Sequence, residues 1–254
     1  MQPTLVTGHR APRWWQEFAL VLLGYWLYSL TRNAIRTDEA RALRHGRAVQ
    51  HLQEHLGLSF ELPVNRWVAA HSYVAQLMNY YYATLHFVVT FGVLAWIFRT
   101  RPRIYRGVRT VLFSTTLVAL AGFYLYPLAP PRLLPQYGYV DTLVRFQTWG
   151  SLADPKIAER SDRYAAMPSL HVAWAFWAGL TLFLCARQAW VRAAGLCYPV
   201  GTFVVVIGTA NHFVVDAIGG AVALAAGFAL QYLLAGHTRV GQPDDQSYAG
   251  TSAA

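Results

Sequence analysis

Asn211-His212-Phe213-Val214-Val215-Asp216 opens an apolar run, FVVDAIGGAVALAAGFALQYLL from Phe213 to Leu234, in which Asp216 is the one charged residue. A helix needs about 20 such residues to cross the hydrocarbon core of a bilayer, so this run predicts a transmembrane helix. A carboxylate inside it is costly unless it pairs or takes part in chemistry. Gly208 and Asn211 mark a break before the run, which predicts that His212 stands at the helix N-terminus.

Five further runs of similar length occur at about 14–31, 79–98, 107–126, 169–186 and 193–210. With the last at 213–235 they predict an all-α integral membrane protein, a six-helix bundle. Composition agrees: 55% of the chain is apolar and 13% charged, against about 25% charged in soluble domains. The segment 64–78, apolar on one face, is either a seventh element or an outward extension of the second span. The first span follows Arg10 and Arg13 but ends in Tyr28-Ser29-Leu30-Thr31-Arg32, with no small-residue cleavage pattern, so it reads as an uncleaved anchor.

Residues 37–56 place Ala40, Leu43, Val49, Leu52 and Leu56 at nearly helical spacing among arginines and histidines, which predicts an interfacial helix on the outer side. The expected organisation is one membrane domain over 1–240, with a catalytic core at about 79–235 and a disordered tail at 241–254. The long, proline-rich segment 127–167 reads as a functional loop.

The net charge of +9 suits anionic headgroups, and no basic-aromatic module accompanies it, so nucleic acid is not expected as a partner. Cys185 and Cys197 read as apolar fillers, and with no cysteine-histidine metal spacing neither metal nor cofactor is expected. Arg99, Arg101, Arg103, Arg106 and Arg109 form the densest cationic connection. The positive-inside rule then puts both termini in the cytoplasm and Arg132, His171 and His212 at the outer face of the plasma membrane. Oligomeric state is not legible.

The chemistry-bearing residues sit at helix mouths. His212 and Asp216 are four apart, so on a helix the carboxylate can orient the imidazole. Alone this spacing is weak, since such a pair is more often a local polar contact; the apolar run around Asp216 raises its weight. Met167-Pro168-Ser169 reads as a proline-opened, serine-capped helix start, whose free amides would offer a phosphate cradle beside His171. Tyr126-Pro127-Leu128-Ala129-Pro130-Pro131-Arg132 ends the third span with prolines that hold a guanidinium near the bundle mouth. The bland alternatives are an ordinary helix start and a snorkelling arginine.

Together, YPLAPPR, AAMPSLH and NHFVVD resemble the signatures of the type 2 phosphatidic acid phosphatase superfamily. They are most similar to the branch of the aureobasidin-sensitive inositol phosphorylceramide synthases and their bacterial relatives. The resemblance covers roughly 79–235 and implies metal-independent transfer through a phosphohistidine. It assigns attack on phosphorus to His212, its orientation to Asp216 and protonation of the leaving group to His171, with Arg132 and Ser169 on the phosphate oxygens. Two phosphate ligands of the wider superfamily are missing: Leu125 and Val206 occupy their positions. Arg163 is a candidate replacement, and His86, Tyr82 and Asn211 are candidate cavity-lining residues, although interfacial packing is the commoner role for such residues.

The expected function is therefore phosphotransfer between membrane lipids, with hydrolysis of phosphatidate or polyprenyl diphosphate as the runner-up. Two readings of another kind remain at this level. One is a channel or transporter lined by intramembrane histidines; the other is haem held between two of His86, His171 and His212.

Overall fold

The structure, a computed structural model, describes residues 13–34, 38–148 and 164–235. Among these it is helical, with one isolated bridge between Leu128 and Ala165 in place of any strand. The main helices are α1 (Trp14–Ala34), α2 (Glu39–His55), α3 (Glu61–Ala70), α4 (Ser72–Thr100), α5 (Pro102–Leu125), α6 (Leu170–Cys185), α7 (Ala189–Gly208) and α8 (Val214–Ala235).

Four of them, α4, α5, α7 and α8, are long and apolar enough to cross a membrane. The protein is thus an integral membrane protein. α6 is apolar but has 16 residues, about 24 Å of helix, so it is shorter than a full bilayer core. α1 has 21 residues but is diluted by Gln16, Glu17 and Ser29, and it falls outside the four.

The second span starts earlier than its apolar run. α4 is continuous from Ser72, with a π-helical stretch at Tyr81–Leu85, so residues 72–78 extend it outward. The rest of the ambiguous segment forms the separate helix α3. The cationic connection is almost no loop: α4 ends at Thr100 and α5 begins at Pro102, so Arg103, Arg106 and Arg109 lie on α5. Arg109 pairs there with Glu17 of α1, and Arg101 donates to the Cys185 carbonyl at the end of α6 opposite Ser169.

The core is built where α5, α6 and α8 meet α4. Ile97, Tyr105, Val111, Phe123 and Trp177 are buried in it, and the Trp177 indole donates to the Val108 carbonyl at 3.0 Å. Small residues set the spacing. A Cβ on Gly179 would strike the Gly195 carbonyl oxygen, so this glycine pair lets α6 and α7 approach backbone to backbone. A Cβ on Gly220 would lie 2.5 Å from the Ser169 carbonyl oxygen, which seats the second turn of α8 against the start of α6.

α2 begins at Asp38, whose carboxylate caps the Arg41 amide. It docks on the exit of α5: His45 Nδ1 bonds the Pro127 carbonyl at 2.8 Å and its ring stacks on Tyr126 at 4.0 Å. The 127–167 segment is held down rather than free where it is described, with short turns at Pro131–Leu133, Pro135–Tyr137 and Thr142–Arg145. The expected tail, 241–254, lies outside the described residues.

Candidate active site at the mouths of α6 and α8

Ser169 is the N-cap of α6, its hydroxyl accepting from the Val172 amide at 3.4 Å. Pro168 lies before the cap rather than in the first turn. The Ser169 amide donates to the Asp216 carbonyl at 2.9 Å, so the starts of α6 and α8 are stitched together. Two amides expected for a phosphate cradle are therefore engaged within the protein.

His212 precedes α8 by two residues. It lies in a tight reversal after α7 in which Ala210 takes a left-handed φ of 53° and Asn211 bonds Thr209 Oγ1 at 2.8 Å. Asn211 thus shapes the turn. The His212 side chain is 3% exposed. Its Nδ1 lies 3.0 Å from the Ala166 carbonyl oxygen and 3.5 Å from Asp216 Oδ2. A carbonyl can only accept, so Nδ1 carries the hydrogen and Nε2 keeps its lone pair. Nε2 is buried without a hydrogen-bond partner.

Asp216 is fully buried and accepts from the Phe213 amide at 2.9 Å, capping the helix that bears it. The nearer partner of the imidazole is thus the Ala166 carbonyl. The carboxylate stands behind it, 3.5 Å from Nδ1.

His171 faces the same space. Its ring centroid is 5.8 Å from that of His212, 4.2 Å from His86 and 4.0 Å from Tyr82, on which it stacks. The candidates from α4 are therefore gathered into the cluster, since Tyr82 also lies 6.4 Å from His212. His86 donates from Nδ1 to the Tyr82 carbonyl at 3.0 Å, across the π-helical stretch.

Arg132 is fastened to the same reversal by its backbone, its amide donating to Ala210 at 2.9 Å. Its guanidinium is held by Asp141 at 2.9 Å through Nη1, while Nε is buried without a partner. Arg163 lies outside the described residues.

One helical turn beyond His86 an apolar cavity of about 250 Å³ opens, lined by Thr90, Leu94, Leu112, Phe113, Leu120 and Trp174. The Trp174 ring is 5.9 Å from His86, so the cavity adjoins the histidine cluster. A larger space of about 820 Å³ follows between α1 and α4, with Phe18, Phe91 and Phe98 in its walls. Among the described residues no group of three or more histidine, cysteine or carboxylate side chains is arranged to hold a metal.

Residues 47–230 match the family described as the PAP2 superfamily, and that span includes Tyr82, His86, Arg132, Ser169, His171, His212 and Asp216. The chain belongs to the PAP2 superfamily. It is also similar to the phosphoinositol dihydroceramide synthase of Bacteroides thetaiotaomicron, at 24% identity over 168 residues. That alignment covers 62% of this chain and 54% of the relative, so the chain spans about half the length of the curated protein it matches. No solved structure matches it.

This PAP2 superfamily member carries a further layer that the sequence reading missed. Glu61 and Gln53, both fully buried, reach the first turn of α8: Glu61 Oε1 accepts from the Val214 amide at 2.9 Å and Gln53 Oε1 from the Val215 amide at 3.0 Å. Gln53 also donates to Glu61 at 2.6 Å. Asn65 donates to the Gly208 carbonyl at 3.0 Å, at the end of α7. The amides at the α8 N-terminus are thus occupied by side-chain oxygens and do not form an open anion cradle. No local pattern flags Glu61 or Gln53, because their partners lie 153 and 162 positions away.

Proposed function

We propose that the protein is a membrane-lipid phosphotransferase that works through a phosphohistidine on His212. The observation that carries this reading is the His212 geometry: Nδ1 is committed to the Ala166 carbonyl, and Nε2, buried and without a partner, is available as a nucleophile. In the first half-reaction Nε2 attacks phosphorus and the bond from phosphorus to the departing oxygen breaks. His171 gives that oxygen a proton, and Asp216 balances the charge on the phosphorylated ring. Arg132, released from Asp141, and Ser169 hold the equatorial oxygens as charge spreads onto them. In the second half-reaction an acceptor hydroxyl, deprotonated by His171, attacks the phosphohistidine and frees His212. No metal takes part in this scheme.

A lipid substrate is supported by the apolar cavity that adjoins the cluster through Trp174. An alcohol acceptor is supported by the similarity to a phosphoinositol dihydroceramide synthase, so the reading is transfer of a phospho-headgroup from a phospholipid to a ceramide-like hydroxyl. Hydrolysis of phosphatidate or polyprenyl diphosphate is the alternative, with water as acceptor. In this proposal the bundle has six spans, α1 and α4 to α8, in one membrane domain over 1–240 with its catalytic core at about 79–235. α2 lies at the outer surface of the plasma membrane, both termini are cytoplasmic and the site opens outward.

The test is incubation of purified protein with radiolabelled phosphatidylinositol, with and without dihydroceramide. A labelled sphingolipid formed only when the acceptor is present supports transfer. Release of water-soluble phosphate irrespective of acceptor selects hydrolysis, and neither product from these lipids or from labelled phosphatidate overturns the enzyme reading.

A further inference from the structure

α8 begins two residues after His212, so whatever fixes its first turn also bears on the imidazole. That turn is not held by its own helix alone. The Val214 and Val215 amides are taken by Glu61 of α3 and Gln53 of α2, and these two side chains are tied to each other at 2.6 Å. Both are fully buried. Burying a carboxyl and an amide in a largely apolar setting is unfavourable unless their hydrogen bonds return the cost. Glu61 returns only part of it, since Oε2 has no partner. Burial also pushes the Glu61 carboxyl above the usual carboxylate range, against the pull of the Val214 amide. A helix start leaves its first amides without intrahelical partners: Asp216 accepts from Phe213, and Glu61 and Gln53, from α3 and α2, take the next two.

We propose that Glu61 and Gln53 form a clasp that positions His212, so that the α2–α3 segment serves the site as well as the fold. The inference rests on the reading of His212 as the nucleophile. The clasp holds Val214 and Val215 from one side, while the Ala166 carbonyl holds the imidazole Nδ1 from the other. The ring is thereby fixed between two anchors, with its centroid 5.8 Å from that of His171. Glu61 and Gln53 are positioning residues and do not touch substrate.

The test compares Glu61→Gln, which keeps an oxygen acceptor for Val214, with Glu61→Leu and Gln53→Leu, which remove one acceptor each. Protein labelled with ¹⁵N-histidine, purified as the whole chain in detergent, reports the His212 tautomer directly. Glu61→Gln should keep the wild-type signature with Nδ1 protonated; the leucine variants should broaden it or shift it toward a mixture. In the phosphatidylinositol and dihydroceramide assay the leucine variants should lose kcat by on the order of 10²-fold, with KM changed little and Glu61→Gln close to wild type. Unchanged His212 resonances and kcat in whichever leucine variant folds overturn the clasp, as does a Glu61→Gln variant as impaired as Glu61→Leu. If His212→Ala keeps full activity while the tautomer still responds to Glu61→Leu, the positioning stands and the proposed function fails.

Discussion

The rings of His171 and His212 stand 5.8 Å apart, centroid to centroid, although 40 residues of sequence, including most of α6 and the whole of α7, lie between the two positions. The pair is assembled because α6 and α8 start at the same level: the Ser169 amide bonds the Asp216 carbonyl, and Gly220 admits the Ser169 backbone. One ring presents an Nε2 without a hydrogen-bond partner, and the other, stacked on Tyr82, lies beside it.

His212→Ala should abolish turnover by several orders of magnitude, since no other described nucleophile shares that position. Far-UV circular dichroism of the variant in detergent should match wild type. A variant that keeps activity removes the phosphohistidine from the mechanism.

Asp216→Asn preserves an oxygen that can accept from the Phe213 amide and so retains the cap, but it removes the charge behind the imidazole. Turnover should fall by roughly 10²–10⁴-fold while the melting temperature changes little. Acid-quenched, labelled protein should accumulate less phosphohistidine.

His171→Ala should spare lipid substrates with an acidic leaving group. A donor in which a nitrophenol takes the place of the diacylglycerol loses that group without a proton, so its turnover should fall far less than that of an alkyl phosphodiester. Equal losses on both donors would assign His171 a role other than proton donation.

Chelation tests the metal-free scheme. Activity should survive dialysis against EDTA unchanged. Loss of activity restored by a divalent ion would replace the imidazole and guanidinium electrostatics proposed here with metal catalysis.

Glu61 carries a sign for stability against pH. Its carboxyl is raised in the folded protein, so its proton binds the folded state more tightly than the unfolded one. The resulting stabilisation is complete below the unfolded value near 4.5 and is lost as pH rises through the higher folded value. Glu61→Gln removes this term. Thermal unfolding in detergent should therefore show the variant gaining on wild type between pH 4 and pH 8, by about a few degrees. A constant difference across that range would show that Glu61 does not change its protonation between the two states.

The sequence was informative where the signal is local. Run lengths gave the helices near the correct positions, and the Ser169 cap and the entry of α8 after His212 follow from residue types at fixed offsets. Boundaries failed where a neighbour intervened. α4 continues outward to Ser72 through a π-helical stretch at Tyr81–Leu85, which the length of the apolar run does not register. The sequence offers His86 and Tyr82 as candidate cavity-lining residues, with packing the commoner role, and in the structure they lie against His171. Their role depends on which face of α4 turns to α6, and a helix that is apolar nearly all round does not declare that face.

By itself, then, the chain determined that it carries helices of bilayer-spanning length and that a few polar residues stand at their ends. Both follow from apolar length and from residue types along the chain. Only the tertiary structure decided the protonation site of His212, through a carbonyl 46 positions away, and the second grip on α8, through Glu61 and Gln53. Hydrogen bonds between distant segments depend on where the packed helices bring their ends, and no periodicity along the chain encodes that.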